Sequence, residues 1–109
     1  MHGHSYRLEV AIRGPLQTQG PASGMVEDFE TIEGIVEQRV VRRLDHQTLN
    51  DIVENPTAEN VLLWIWRQLD GHLRGFEEAV LWETPRSCAV LRRGIAQHSS
   101  GEGQAGVSF

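Results

Sequence analysis

Between Tyr6 and Arg13 apolar and polar side chains alternate. Tyr6, Leu8, Val10 and Ile12 fall on one parity, Arg7, Glu9 and Arg13 on the other, with Ala11 among them. A period of two is the mark of a strand with one buried face. Gly14-Pro15 ends it, and the Gly/Pro/Ser stretch from Gln17 to Gly24 reads as a loop. The period then changes. Phe29, Ile32, Val36, Val40 and Leu44 recur near helical spacing behind Asp28, a natural N-cap, so the pattern predicts a helix to about Arg43. Glu30 and Glu33 lie in its first turns and Arg39, Arg42 and Arg43 near its end, the order that complements the helix dipole.

Leu44-Asp45-His46 closes this helix, and Leu49-Asn50 opens a loop to Asn55-Pro56. Thr57 is the expected N-cap of a second helix running to about Leu73. Val61, Leu62, Ile65, Trp66, Leu69 and Leu73 share one side of it, Trp64 falls off that stripe, and Gly75 suits the residue just past its end. Phe76 to Thr84 and Ser87 to Arg93 read as two further strands joined around Pro85-Arg86. Beyond Gly94 there is no period, and the small, polar run from Ser99 to Gly106 predicts a disordered tail over 95–109. The order strand, helix, helix, strand, strand predicts an antiparallel α+β domain over 1–94, with both helices on one sheet face. Such a sheet is one strand short. A strand ahead of His2, hairpin-paired with the first, would supply the fourth.

Composition narrows the class. At 109 residues, with 39% apolar and 23% charged residues, the chain fits one ordinary globular domain. A formal net charge of -5 argues against nucleic acid or an anionic membrane as a bulk partner. All ten basic residues are arginine, which excludes Schiff-base and lysine-nucleophile chemistry. The single cysteine, Cys88, forms no intrachain disulfide and fits a reducing compartment. The amino terminus lacks an apolar signal core, and the longest apolar run, Val61 to Trp66, falls far short of the ~20 residues of a membrane span. A cytoplasmic protein is expected.

Four places offer chemistry. His2 and His4 share the parity of Tyr6 and Leu8, so both imidazoles can converge on one point beside the strand. That is half of a zinc site, since a catalytic zinc takes three protein ligands and keeps a position open. Histidines with no ligand would give the same pattern. Asp45-His46 matches an aspartate that orients a general base, or equally a histidine favoured by a helix carboxyl end. Glu83, at a strand end between Trp82 and Thr84, could accept two hydrogen bonds from a planar, amidine-like heterocycle, or simply be exposed. Cys88, beside Ala89 and Val90, is expected to be buried as a small hydrophobe. Trp66 is expected in the core and Trp82 in strand packing.

Taken together, His2-Gly3-His4-Ser5-Tyr6, Gly24-Met25-Val26-Glu27-Asp28-Phe29, Leu44-Asp45-His46, Leu49-Asn50, Pro56-Thr57-Ala58-Glu59-Asn60 and Glu83-Thr84 occur in one order. This set resembles the 6-pyruvoyltetrahydropterin synthase family, which includes the bacterial 6-carboxytetrahydropterin synthases of queuosine biosynthesis. The resemblance spans roughly Met1 to Arg93. It implies the tunnelling fold, a ββααββ unit whose sheets join side by side in trimers and hexamers with active sites between subunits. It implies that His2 and His4 are two of three zinc ligands, and that Asp45 and His46 form the proton-transfer pair. Glu83 would anchor the pterin ring and Thr57 would line the same pocket. The implied reaction is a zinc-dependent lyase step on 7,8-dihydroneopterin triphosphate, giving 6-carboxy-5,6,7,8-tetrahydropterin or 6-pyruvoyltetrahydropterin.

Three departures accompany the resemblance. The family's third histidine and its catalytic cysteine belong to a strand that would precede His2, Cys88 does not match that cysteine, and Ser5 stands where asparagine usually follows the second histidine. The chain therefore reads as a pterin lyase whose first strand is missing, or as a variant of altered chemistry. The competing reading is a non-catalytic tunnelling-fold protein that keeps Glu83 and binds a pterin or purine-like ring, or only assembles.

Overall fold

The computed structural model describes residues 6–20, 24, 26–45, 49–94 and 101–108. Strand β1 (Arg7–Gly14) follows Tyr6, and its alternation is realised as predicted: Leu8, Val10 and Ile12 are buried while Arg7 is exposed. Helix α1 (Phe29–Val36) starts at Asp28, whose carboxylate accepts the Glu30 N–H, so the expected cap is made. The helix then widens into a π-helical turn, Glu37–Val41, before α2 (Arg42–Asp45). There the Arg42 N–H bonds the Glu37 carbonyl, and the extra residue brings Val41 as well as Val40 into the core. Phe29, placed on the apolar stripe by its spacing, is the first residue of the helix and is 47% exposed.

The expected loop from Leu49 contains a short helix, α3 (Leu49–Ile52). Thr57 caps α4 (Ala58–Leu69), its hydroxyl oxygen accepting the Asn60 N–H at 3.2 Å. Helix α4 stops at Leu69 rather than Leu73. Gly71, at φ 85°, turns the chain in the left-handed region just past the end, and Leu73 is buried from the following turn. Gly75 serves a different need from the one its position suggested. It lies so close to β1 that a Cβ would stand 2.0 Å from the Arg13 carbonyl oxygen. Only glycine fits there.

Strands β2 (Phe76–Thr84) and β3 (Ser87–Arg92) follow as expected. The fourth strand comes from the other end of the chain. Residues Gly101–Ser108 form β4, antiparallel to β1 from Arg7↔Ser108 to Gly14↔Gly101, and the sheet order is β3-β2-β1-β4. Disorder is therefore the wrong expectation for 101–108. Main-chain ladder bonds need no side-chain period, and an open β1 edge leaves amides and carbonyls that require partners. The edge assigned to a strand ahead of His2 is the one β4 occupies.

The helices cover one sheet face, as an α+β tunnelling-fold unit requires. Leu8, Val10, Ile12, Ala79, Leu81 and Ala89 of the sheet meet Ile32, Val36, Val40, Val61, Leu62, Ile65 and Leu69 of the helices in one core. Apart from the hydroxyl-bearing Tyr6, no polar or charged side chain is buried among the described residues. Nor is any described helix long and apolar enough to cross a membrane.

Candidate functional site

The end of the sheet where β1 begins and β2 ends is built differently from the rest. Ladder pairs β2–β3 run Leu81↔Ala89 and Trp82↔Cys88, then jump to Thr84↔Ser87. Glu83 is thus the extra residue of a β-bulge, with no partner across β3. Bulges re-aim side chains and recur beside active sites. The turn beyond it is tied locally: Thr84 and Ser87 hydroxyls lie 2.9 Å apart, and the Arg86 N–H donates to Thr84 Oγ1 at 3.1 Å. Glu83 is left exposed at the rim, on the parity of buried Leu81.

Tyr6 lies beside it. The residue is only 5% exposed. Burial first, and the negative charge of Glu83 second, push the phenol above its ordinary range. The hydroxyl therefore stays protonated through neutral pH, a potential hydrogen-bond donor near a carboxylate. The sequence alone marks Tyr6 only as part of a motif and a strand face. Its proximity to Glu83 comes from the β1–β2 register, which no local pattern encodes.

Across the sheet, Trp82 turns to the uncovered face, where its indole N–H donates to Glu9 Oε1 at 3.2 Å and Arg7 pairs with the same carboxylate at 3.3 Å. This agrees with a packing role. Cys88, expected buried, is exposed. Strand parity decides it: Ala89 takes the helix side, leaving Cys88 and Val90, itself 49% exposed, on the open face. Trp66, expected in the core, is half-buried, packed against Phe76 with ring centroids 4.4 Å apart. Trp64 leaves the stripe as expected, and Arg43 lies over it at 5.4 Å while also bonding Gln68.

Thr57 is exposed at the mouth of α4, with Asn60 reaching back to the Asn55 carbonyl at 2.7 Å. Among the described residues its hydrogen bonds lie within this capping turn, where its hydroxyl oxygen accepts the Asn60 N–H. Asp45 ends α2. The predicted ligands His2 and His4 and the predicted proton carrier His46 lie outside the described residues. Among the described residues no three histidine, cysteine, aspartate or glutamate side chains come together as a metal site. As a donor set, His2 and His4 offer borderline nitrogen ligands suited to zinc.

The model of the family described as 6-pyruvoyl tetrahydropterin synthase matches residues 1–94. The chain belongs to that family. The match includes His2, His4, Asp45, His46, Thr57 and Glu83. The chain is 38% identical over 86 residues to a dihydroneopterin monophosphate aldolase of Pyrococcus furiosus, covering 76% of this chain and 70% of that protein. It is 36% identical over 93 residues to a 6-carboxy-5,6,7,8-tetrahydropterin synthase of Synechocystis, covering 82% and 72%. With a 6-pyruvoyl tetrahydrobiopterin synthase of Drosophila melanogaster it shares 32% identity over 99 residues, 84% of this chain and 57% of that one. At the family level, then, this pterin-synthase relative has the ancestry of synthase-like lyases and aldolases.

Proposed function

We propose that the protein is a zinc-dependent lyase acting on 7,8-dihydroneopterin triphosphate, with 6-carboxy-5,6,7,8-tetrahydropterin as its product in preference to 6-pyruvoyltetrahydropterin. The observation that carries this reading is Glu83: an ionisable side chain lifted out of the ladder by a bulge, exposed at the rim of the sheet beside a buried phenol. A carboxylate so placed can accept the paired N–H groups of a pterin's amidine edge. Asp45 and His46 would move protons at the side chain, with the aspartate orienting the imidazole. Thr57 would line the pocket and could donate its O–H. His2 and His4 would be protein ligands of the zinc. When bound, the ion supplies a Lewis acid that lowers the cost of removing protons near the substrate's hydroxyls.

Copies of the chain would assemble into a trimer or hexamer sharing sites, with no nucleic-acid or membrane partner. The β3 edge and the face carrying Val90 are available for such contacts. A second reading has its own support in the archaeal relative named as an aldolase. In that case the same residues would cleave the side chain of dihydroneopterin monophosphate.

One experiment separates these readings. Protein purified without a histidine tag is assayed for bound zinc and incubated with each dihydroneopterin phosphate, and products are identified by mass. The proposal expects stoichiometric zinc and 6-carboxytetrahydropterin from the triphosphate. Conversion of the monophosphate alone would support the aldolase reading. Metal-free protein that binds a pterin without turnover, unaffected by His46→Ala, would establish the non-catalytic alternative.

A further inference from the structure

We infer that Tyr6 is a positioning residue for Glu83, fixing the carboxylate in the orientation in which it meets a pterin ring. This rests on the reading of Glu83 as the ring anchor. The β1–β2 ladder pairs Leu8 with Leu81 and Arg7 with Trp82. That ladder ends at Arg7↔Trp82; extending its register by one residue would bring Tyr6 opposite Glu83, on the helix-side parity of Leu8 and Leu81, and the charge of Glu83 does reach the Tyr6 phenol. Directly opposed side chains in an antiparallel pair stand about 4.5–5.5 Å apart at Cβ. Nothing on β3 stands opposite Glu83, because the bulge skips it. Tyr6 is therefore the cross-strand neighbour that can restrain it.

The two residues differ in a useful way. Tyr6 is immobilised by burial, at 5% exposure, whereas Glu83 is exposed and has several torsions to settle. A phenol fixed by burial that donates to the neighbouring carboxylate would turn a floppy side chain into an aimed one. An ionised carboxylate can accept about four hydrogen bonds, so one from a phenol leaves capacity for two ring N–H groups. The nearby indole does not compete, since Trp82 is engaged with Glu9 on the opposite face.

The test is a double-mutant cycle with Tyr6→Phe and Glu83→Gln, reading neopterin affinity by calorimetry and melting temperature in parallel. Tyr6→Phe keeps the buried ring and removes only the hydroxyl, so the melting temperature should hold. It is expected to weaken neopterin binding about tenfold, the scale of one hydrogen bond to a charged group. In the Glu83→Gln background the same change should cost nothing further, because its effect passes through the carboxylate. With dihydroneopterin triphosphate, KM should rise more than kcat falls. Wild-type protein that fails to bind neopterin would overturn the anchor reading and the inference with it. Wild-type binding with Tyr6→Phe equally tight, or with penalties that multiply in the double variant, would overturn the Tyr6 role alone.

Discussion

The two ends of the β1–β2 ladder are built to opposite specifications. At the end where β1 finishes and β2 begins, everything is tied. The Arg13 N–H donates to the Gly75 carbonyl at 2.8 Å, and the two backbones are in contact. Arg93 lies over the Trp66 ring at 5.3 Å, donates to the Phe76 carbonyl at 2.9 Å and reaches Asp70 at 2.6 Å. At the other end the β1–β2 pairing is regular as far as Arg7↔Trp82, but the β2–β3 ladder bulges at Glu83, whose carboxylate is exposed, and Tyr6 is buried nearby. The β1–β2 register shifts at the closed end, between Ala11 and Ile12, and these contacts fix the strands there. The open end can therefore carry an unpaired, functional side chain without the sheet slipping.

The comparison is broken most severely at the closed end. Gly75→Ala would drive a Cβ into the Arg13 carbonyl and should cost about 3 kcal/mol or more in urea denaturation. The fraction that folds should still bind neopterin. Arg93→Ala removes a cation–π contact and hydrogen bonds from a half-exposed side chain, for an expected loss of about 1–2 kcal/mol. Its neopterin affinity should match wild type, since the change lies at the opposite end from Glu83. Thr57→Ala gives the smallest effect on stability, about 1 kcal/mol for the lost cap of α4. Calorimetry sharpens the comparison here: if Thr57 lines the pocket, this variant alone of the three should also weaken neopterin binding.

Much of the architecture was legible because local chemistry and tertiary burial agree in it. The alternation from Tyr6 to Ile12, the caps at Asp28 and Thr57, and the strand pair around Pro85-Arg86 each satisfy a local rule that the fold then uses. What escaped the sequence depends on long-range partners. The π-helical turn answers the core's need for both Val40 and Val41. Strand β4 has no side-chain period and is called into being by an open edge of β1. Exposure of Cys88 follows from which parity of β3 the helices cover. Among the candidate site residues, Glu83 was marked by type and strand-end position, while its bulge and its buried neighbour Tyr6 depend on registers between distant segments. The residues His2, His4 and His46 were found by motif and lie outside the described structure.

The central claim is that the open end presents a carboxylate to a pterin ring. Its most direct test is neopterin titrated into wild-type protein and into Glu83→Gln, with urea midpoints measured alongside. The account predicts a wild-type complex that Glu83→Gln weakens by about tenfold to a hundredfold, the range for charge-assisted hydrogen bonds, at an unchanged midpoint. Equal affinity in the two proteins would contradict it.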